Sequence, residues 1–390
     1  MILLVHNRYL QAGGEDIVFQ QESSLLRRHG HGVVEYGEDN RRIEDIGRPA
    51  AAVRAVWSSG TRLRLRELIR RARPEVAHFH NTFPLVSPSA YWACREAGVP
   101  VVQTLHNYLL ICPSALLFRS GRPCEDCVRA RVPWPGVLHA CYRGSRLETA
   151  GVAVMLEAHR LAGTWRDKVD LFVSPSEFSR RKFIEGGIPG ERILVKPNFV
   201  HPDPGEDRAD GDYALFVGRL SPEKGIEVMI DAWRRLPRIP LVICGDGPLR
   251  SSVERFARSQ PPGNIRVRGA LARSEVFDLM KRARFLVFPS TWYETFALVI
   301  AEAFACGLPV VSTDIGAAAE IVEDGRTGVQ FTAGDPRGLA AAAARLWDRP
   351  SEARAMGAEA RAQYGRKYSA EASYARLMEI YSRAREGSVR

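Results

Sequence analysis

The stretch from Phe288 to Thr313, FPSTWYETFALVIAEAFACGLPVVST, constrains the fold of this 390-residue chain more than any other. It begins at the end of an apolar strand, breaks at Pro289 and continues as a helix-period run to Cys306. A second apolar strand follows. Strand, loop, helix and strand in this order are typical of a parallel sheet, whose ligands bind at the carboxyl ends of the strands.

Two glutamates, Glu294 and Glu302, lie eight residues apart on either side of this helix start. The unsatisfied N–H groups at a helix start suit a phosphate. One loop would then hold a sugar hydroxyl at Glu294, a diphosphate at the helix start and a ribose diol at Glu302. The residues of the helix start are Thr295, Phe296, Ala297 and Leu298. The alternative, that the carboxylates only face the helix dipole and solvent, stays open on spacing alone.

Two further motifs occur upstream, GRLSPEKG from Gly218 to Gly225 and CGDGPL from Cys244 to Leu249. With the glutamate pair and Gly13-Gly14, they resemble the signature of family 4 glycosyltransferases over essentially the whole chain. The resemblance implies the GT-B fold, an α/β arrangement of two doubly wound Rossmann-like domains facing a cleft. It also implies a retaining transfer of a hexose-like sugar from a nucleoside-diphosphate sugar to an acceptor hydroxyl.

Arg219 and Lys224 follow the apolar strand YALFVG, so both cations belong to the ligand edge of the sheet. Together they would clamp a diphosphate and stabilise charge on a leaving nucleoside diphosphate, although either alone is usually a solvated surface group. Lysine is scarce, six against forty-nine arginines, which makes a lysine inside a motif notable. Other donor-side candidates lie in turns that alternatively only redirect the chain: Gly218, Gly245, Asp246, Gly269 and Leu271.

The amino-terminal half begins with the strand MILLV, and Gly13-Gly14 directly precede a helix. This turn gives backbone room for a donor phosphate, and an ordinary tight turn is the alternative. His106 follows the strand VPVVQTL, and in the resembled family a histidine at this point lines the reaction centre. We therefore class His106 with Arg219, Lys224 and Glu294 as catalytic. A structural role for His106 is the alternative. Acceptor-side candidates are His80, Asn81, Asn107 and Tyr108.

The best domain boundary is the segment rich in proline, glycine and acidic residues near 199–212. We expect an acceptor-side domain over residues 1–199 and a nucleotide-sugar domain over 200–366. In the resembled fold the last helix crosses back, so residues 367–390 are expected to return to the first domain.

Four of the seven cysteines, Cys112, Cys124, Cys127 and Cys141, fall within thirty residues with spacing C-x11-C-x2-C-x13-C. A cytoplasmic chain disfavours stable disulfides, and four thiolates can hold a structural zinc ion. Only one Cys-x-x-Cys pair is present, so reduced thiols and redox behaviour remain alternatives.

The formal net charge of +10 favours anionic partners. No apolar run is long enough to span a bilayer, and MILLV lacks a basic leader, so we expect a cytoplasmic protein. The basic helix at residues 62–72 has either a solvated face over a core stripe or a contact with anionic lipid at the inner membrane face.

No Asp-x-Asp motif suited to a metal-bound diphosphate is present, so we expect catalysis that requires no metal or other cofactor, with the leaving phosphate assisting proton removal. The expected partners are a nucleoside-diphosphate sugar and a hydroxyl acceptor, either a saccharide, a lipid-linked glycan or a small molecule. The setting would be synthesis of a bacterial polysaccharide, glycolipid or related glycoconjugate.

The alternatives to this function are a nucleotide-sugar epimerase of similar fold, a basic protein that binds nucleic acid or an anionic surface, and a non-catalytic scaffold. Nucleic acid is not an expected partner.

Overall fold

A computed structural model of the chain describes residues 1–10, 13–130, 132–206 and 211–387. The chain divides into two compact units. Unit 1 comprises Met1–Leu117, Cys124–Asn198 and the residues from Ser373 onward, and unit 2 comprises Phe118–Pro123 and Phe199–Ala372.

The strands and helices alternate along most of the chain, as the hydrophobic pattern predicts. The strands are β1 Ile2–Arg8, β2 Val33–Asp39, β3 Val76–Asn81, β4 Val101–Thr104, β5 Phe118–Arg119, β6 Arg122–Pro123, β7 Leu171–Ser174, β8 Ile193–Val195, β9 Ala214–Val217, β10 Leu241–Cys244, β11 Ile265–Gly269, β12 Phe285–Phe288, β13 Val310–Thr313 and β14 Gly328–Phe331. The helices are α1 Gly14–Arg28, α2 Arg42–Ile46, α3 Arg48–Val56, α4 Ser59–Ala72, α5 Ser89–Glu96, α6 Trp134–Leu138, α7 Arg146–Leu161, α8 Thr164–Asp167, α9 Glu177–Glu185, α10 Ile226–Trp233, α11 Arg250–Arg258, α12 Arg273–Arg282, α13 Leu298–Ala305, α14 Gly316–Ile321, α15 Pro336–Asp348, α16 Pro350–Gln363 and α17 Ala370–Gly387.

Unit 1 is built on a parallel sheet of six strands in the order β2-β1-β3-β4-β7-β8. Its central strands are buried along their length, which explains why MILLV and VPVV read as continuous apolar runs rather than alternating ones. The last helix, α17, packs Leu377, Ile380 and Tyr381 into the same apolar core as Ile2 and Leu4.

Unit 2 has a second parallel sheet, in the order β11-β10-β9-β12-β13-β14. Alternate residues of one strand enter different cores: Leu215 packs in one apolar cluster, and Ala214 and Phe216 pack in the other. Trp233 is fully buried in the second cluster and donates its indole N–H to the carbonyl of Ile239 at 3.0 Å. Each unit is therefore a doubly wound α/β layer structure, as the sequence predicts.

The basic helix α4 buries Leu65 and Ile69, while its Leu63 is 64% exposed. Two of its arginines form ion pairs within unit 1, Arg64 with Glu38 at 3.0 Å and Arg62 with Glu96. The arrangement is that of a solvated face over a core stripe. None of the described helices combines the length and the apolar character needed to cross a bilayer.

Candidate functional site

In unit 2, the carboxyl ends of three neighbouring strands, β10, β9 and β12, carry loops that are hydrogen-bonded to one another. The amide of Leu220 donates to the carbonyl of Asp246 at 2.9 Å, and the amide of Thr291 donates to that of Glu223 at 2.9 Å. The three motifs singled out in the sequence therefore meet at one edge of the sheet, where open α/β sheets bind ligands.

Glycines make this close approach of the loops possible. Gly225 has φ +70°, and a Cβ there would lie 1.8 Å from the carbonyl oxygen of Pro289. Gly245 has φ +146°, and a Cβ there would lie 1.8 Å from the carbonyl oxygen of Gly218. A side chain at either position would force the loops apart. Gly218 and Gly245, predicted to contact the donor, thus also shape the backbone of the site.

Lys224 and Glu294 are brought together from two different loops. The Lys224 Nζ lies 2.6 Å from Glu294 Oε1, and this oxygen also accepts a hydrogen bond from Trp292 Nε1 at 3.2 Å. The ammonium group of Lys224 stands 5.3 Å from the centre of the Trp292 ring, within range of a cation–π interaction. Glu294 is only 9% exposed. The side chain of Arg219, by contrast, is exposed and forms no ion pair with any residue that the structure describes.

Glu302 lies in α13 with its Oε1 2.9 Å from Nε of Arg273, which also donates to the carbonyl of His201. Burial raises the pKa of Glu302, and the Arg273 guanidinium opposes this shift. The helix start between the two glutamates has no side-chain cap. The side chains of Phe296 and Ala297 are buried in the core, so a ligand at this helix start would meet backbone groups rather than these side chains.

The remaining donor-side candidates of unit 2 serve the turns in which they lie. Asp246 Oδ1 accepts from the amide of Gly247 at 2.7 Å, and its Oδ2 lies 3.1 Å from Arg250. Gly269, with φ +69°, accepts a hydrogen bond from the amide of Gly245, and Leu271 packs against the core. These contacts fit the alternative in which the turns redirect the chain and leave a donor contact untested.

In unit 1, β1, β3 and β4 are neighbours, and a chain of buried polar groups ends at their carboxyl edge. His80 Nδ1 lies 3.0 Å from His106 Nε2, and His80 Nε2 lies 3.3 Å from Glu22 Oε2. Lys196 Nζ lies 2.6 Å from Glu22 Oε1. Glu22, His80 and Lys196 are each at most 2% exposed. His106, the histidine singled out in the sequence, is thus the partly exposed end of a buried chain.

The charges along this chain follow from its partners. Burial alone would raise the pKa of Glu22, but the charge of Lys196 and the hydrogen bond from His80 hold it well below its usual range. Burial, and then the nearby His80, lower the pKa of His106 well below its usual value. At neutral pH Glu22 is therefore ionised and His106 is neutral.

These contacts hold the ring of His106 in place. His80 lies between the Glu22 carboxylate and His106, so His106 contacts a buried side chain that is itself next to a buried ion pair.

Asn107, next to His106, donates from Nδ2 to Glu15 Oε1 at 2.7 Å and lies 3.3 Å from the Tyr9 hydroxyl. Burial raises the pKa of Glu15 to about 7, and the hydrogen bonds from Asn107 and Tyr9 oppose this rise. A carboxyl group that titrates near neutrality, beside the predicted reaction-centre histidine, is the kind of group that exchanges protons with a substrate.

In the glycine turn before α1, the backbone amide is capped by a side chain from the first turn of the same helix. The amide of Gly13 donates to Asp16 Oδ2 at 2.8 Å, and Asp16 Oδ1 lies 2.8 Å from His6 Nε2. Glu15 and Asp16 place two carboxyl groups in the first turn. A phosphate at Gly13-Gly14 would meet the Asp16 carboxylate, so these contacts favour the alternative, an ordinary capped turn.

Three of the side chains predicted to contact the acceptor are buried, which does not fit a direct contact with it. Tyr108 is 1% exposed and packs against Phe183 with ring centres 5.4 Å apart. Asn81 is 5% exposed and donates to the carbonyl of Asn7 at 2.9 Å. His80 is 2% exposed and supports His106. Of the four acceptor-side candidates, Asn107 alone is partly exposed.

Cysteines 112, 124, 127 and 141 all belong to unit 1, and none of them forms a disulfide bond. Burial, and then the neighbouring thiol of Cys112, raise the pKa of Cys127 to about 12, and Cys141 and Cys124 are near enough to add to the rise. Among the described residues, the one set of three or more potential metal ligands within 4.8 Å is Glu22, His78 and His80, so the cysteines do not form such a set. In that set the carboxylate of Glu22 already forms an ion pair with Lys196.

Several site residues were missed by sequence reasoning: Tyr9, Glu15, Glu22 and Lys196. Lys196 is one of only six lysines and follows an apolar strand, as Lys224 does, so the same signal was available for it. Glu22 shows no local signal, because a glutamate in an amphipathic helix is usually solvated.

Comparison with known proteins gives a consistent result. Residues 13–204 match the family described as glycosyltransferase family 4, and residues 202–363 match glycosyl transferases group 1. A glycogen synthase of Mycobacterium tuberculosis is 34% identical over 338 residues, which cover 85% of this chain and 74% of that protein. An uncharacterised glycosyltransferase of Methanocaldococcus jannaschii is 29% identical over 190 residues, so the chain matches about half of its length, 53%.

Solved structures show the same fold. Anabaena HepE in complex with UDP-glucose superposes with a TM-score of 0.68 at 19% identity, covering 98% of this chain and 99% of that one. Sucrose-phosphate synthase from Thermosynechococcus elongatus has a TM-score of 0.68 at 16% identity and covers 98% of each chain. The chain therefore has the GT-B fold and belongs to the family 4 glycosyltransferases.

Proposed function

We propose that this protein is a retaining glycosyltransferase that moves a hexose-like sugar from a nucleoside-diphosphate sugar to an acceptor hydroxyl, in the synthesis of a bacterial polysaccharide, glycolipid or related glycoconjugate. The observation that carries the proposal is the contact of Lys224 with Glu294 at the ligand edge of unit 2. The HepE structures, which contain UDP or UDP-glucose, support the donor class.

Lys224 and Arg219 would neutralise the leaving nucleoside diphosphate. Lys224 is already held by Glu294, so its charge is in place before the bond breaks and needs no rearrangement. Arg219 is exposed and would close on the phosphates when they bind. These cations take the role that a metal ion has in other transferases. Of the Asp-x-Asp sequence at 210–212, Asp210 lies outside the described residues, and Asp212 precedes β9 at the end of the strand opposite the site.

Glu294 and Glu302 would divide the remaining donor contacts. Glu294 lies beside the lysine that faces the breaking bond, so it would orient the sugar. Glu302, eight residues further along and paired with Arg273, would bind the ribose. The uncapped start of α13 between them would bind phosphate oxygens through its amides.

On the acceptor side, His106 would line the site of the acceptor hydroxyl, with His80 and Glu22 holding its ring in place. The leaving phosphate would take the proton of the acceptor hydroxyl in a front-face reaction. Asn107 and Glu15 would lie beside the acceptor rather than attack the sugar, because Asn107 holds the Glu15 carboxyl group.

A structural zinc ion on Cys112, Cys124, Cys127 and Cys141 is a separate proposal, supported by their spacing in the sequence; binding would require the four sulfur atoms to move closer together than they are here. Its role would be to hold a segment with little regular structure between β4 and α7. Elemental analysis of protein without a histidine tag tests it. Absence of metal together with four titratable thiols would leave reduced cysteines.

A thermal-shift screen across nucleoside diphosphates and their sugars tests the proposed function. We expect one nucleotide and its sugar to raise the unfolding temperature, because a ligand that binds only the folded state stabilises it. The absence of any shift at millimolar ligand would contradict the proposal.

The alternatives have tests of their own. Donor incubated alone should release free sugar slowly without isomerising, whereas isomerisation would identify an epimerase. Binding to nucleic acid that weakens steeply as the salt concentration rises would favour the alternative of a basic nucleic-acid-binding protein.

A further inference from the structure

Helix α7 has an uncovered apolar face. On one side it buries Val152, Met155 and Leu156. On the other, Leu147 is 84% exposed, Val154 60% and Leu161 78%. A spacing of seven residues places these three on the same face of a helix, and Gly151 and Ala158, also exposed, lie between them. A helix that is apolar on both sides is normally covered on both sides.

Neighbouring helices extend this face. Trp134 and Leu138 of α6 are 60% and 50% exposed, and the Leu138 carbonyl accepts a hydrogen bond from Arg146 Nε of α7 at 3.2 Å. Val53 of α3, a helix that packs beside α7, is 70% exposed. We call Val53, Trp134, Leu138, Leu147, Val154 and Leu161 the α7 patch. Exposed apolar side chains grouped on adjoining helices mark an interaction site.

Arginines accompany the α7 patch. Arg54, Arg146 and Arg160 are sequence neighbours of its residues, and Arg143 lies just before α7. Arg48 of α3 reaches Glu148 of α7 at 3.3 Å. These five arginines outnumber the two glutamates of α7, Glu148 and Glu157, with which three of them pair. The segments that carry the patch therefore have an excess of positive charge.

We infer that the α7 patch docks unit 1 onto an anionic membrane surface, with the apolar side chains in the interface and the arginines against lipid phosphates. This combination of apolar side chains and basic residues is what an interfacial helix needs. A second copy of the chain fits less well. A twofold contact through this face would set each copy's arginines against those of the other.

The test is co-sedimentation with vesicles of phosphatidylglycerol and phosphatidylcholine in equal amounts, compared with vesicles of phosphatidylcholine alone. We expect binding to the anionic vesicles that weakens with salt. The triple substitution Leu147→Ser, Val154→Ser and Leu161→Ser keeps the net charge and should lower binding at least about tenfold, because it removes apolar contact. Leu63→Ser on α4, 64% exposed, is the matched control and should bind as the unchanged protein does.

Three results would overturn the inference. The first is no sedimentation with anionic vesicles, and the second is sedimentation that the triple substitution leaves unchanged. The third is a dimer in solution that the triple substitution converts to monomer without any effect on vesicle binding, which would make the patch a contact between copies. Circular dichroism and nucleotide binding by the variant check folding. Because the inference does not depend on donor chemistry, its failure would leave the glycosyltransferase proposal untouched.

Discussion

The two ligand edges of this protein are built in different ways. In unit 2, the candidate site is made of short loops held together by backbone hydrogen bonds and close glycine contacts, with one ion pair, Lys224 with Glu294, near the surface. In unit 1, a buried chain from Lys196 through Glu22 and His80 supports one partly exposed histidine. The difference indicates that unit 2 offers a ligand backbone groups and charge, whereas unit 1 holds a single side chain in place with buried polar groups.

The largest expected effect is on the stability of unit 1. Glu22→Gln would leave Lys196 charged and buried without its partner, and we expect a loss of about 3–5 kcal/mol in the free energy of unfolding. Adding Lys196→Met should recover much of this loss, because both charges are then gone. Urea unfolding of both variants is the measurement. A loss below about 1 kcal/mol in the single variant would mean that the pair is not buried in solution.

The second effect is on catalysis in unit 2. Lys224→Ala should lower turnover by about 10²–10³, or about 2.7–4 kcal/mol, because a preorganised charge at the leaving group is lost. Stability should change little, since the loop lysine contributes little to a core. Lys367→Ala, an exposed lysine of the same unit, is the control. Near-normal turnover in Lys224→Ala would remove this residue from the mechanism.

A third, smaller effect concerns pH and Glu15. Its pKa of about 7 in the folded protein lies above its usual value of 4.5, so the stability gained from the protonated form is full below pH 4.5 and lost as the pH rises through 7. Glu15→Gln, which cannot ionise, should therefore match the unchanged protein near pH 4.5. At pH 8 it should be more stable, by about 2 kcal/mol after allowing for solvent screening. Thermal unfolding at both pH values checks this. A difference that is the same at both would show that Glu15 does not titrate in this range.

The smallest expected effect separates the two glutamates of unit 2. Glu302→Ala should weaken binding of free nucleoside diphosphate by about tenfold, or about 1.4 kcal/mol, if it contacts the ribose. Glu294→Ala should leave that affinity nearly unchanged and lower turnover instead, because its proposed partner is the sugar. Calorimetric titration gives both affinities, and equal losses would refute this division.

The site of unit 2 can be predicted from sequence better than that of unit 1, for a physical reason. Lys224, Gly245 and Glu294 each lie in a short motif directly after a strand, and parallel strands bring such loops to one edge. The predicted α/β class and GT-B fold were confirmed for the same reason, because alternating apolar strands and amphipathic helices are visible locally.

The series of buried polar contacts in unit 1 joins residues 22, 80, 106 and 196, which no local sequence pattern relates. Their contact depends on strand order and on the rotation of α1, which sequence periodicity does not give. For the same reason His80, Asn81 and Tyr108 were placed beside the acceptor, although the fold buries them. The exposure of the α7 patch could not be predicted from the sequence either, because apolar residues on both sides of a helix are typical of a buried helix.

The central claim is that the edge of unit 2 binds the nucleoside diphosphate of the donor, while unit 1 acts on the acceptor. The most direct test titrates the nucleotide selected by the thermal-shift screen into the unchanged protein, the Arg219→Ala and Lys224→Ala double variant, and His106→Ala. We predict that the double variant loses at least about 2 kcal/mol of binding free energy, as expected when charge-assisted contacts are removed, and that His106→Ala binds normally. Normal binding by the double variant, or an equal loss in His106→Ala, would contradict the claim.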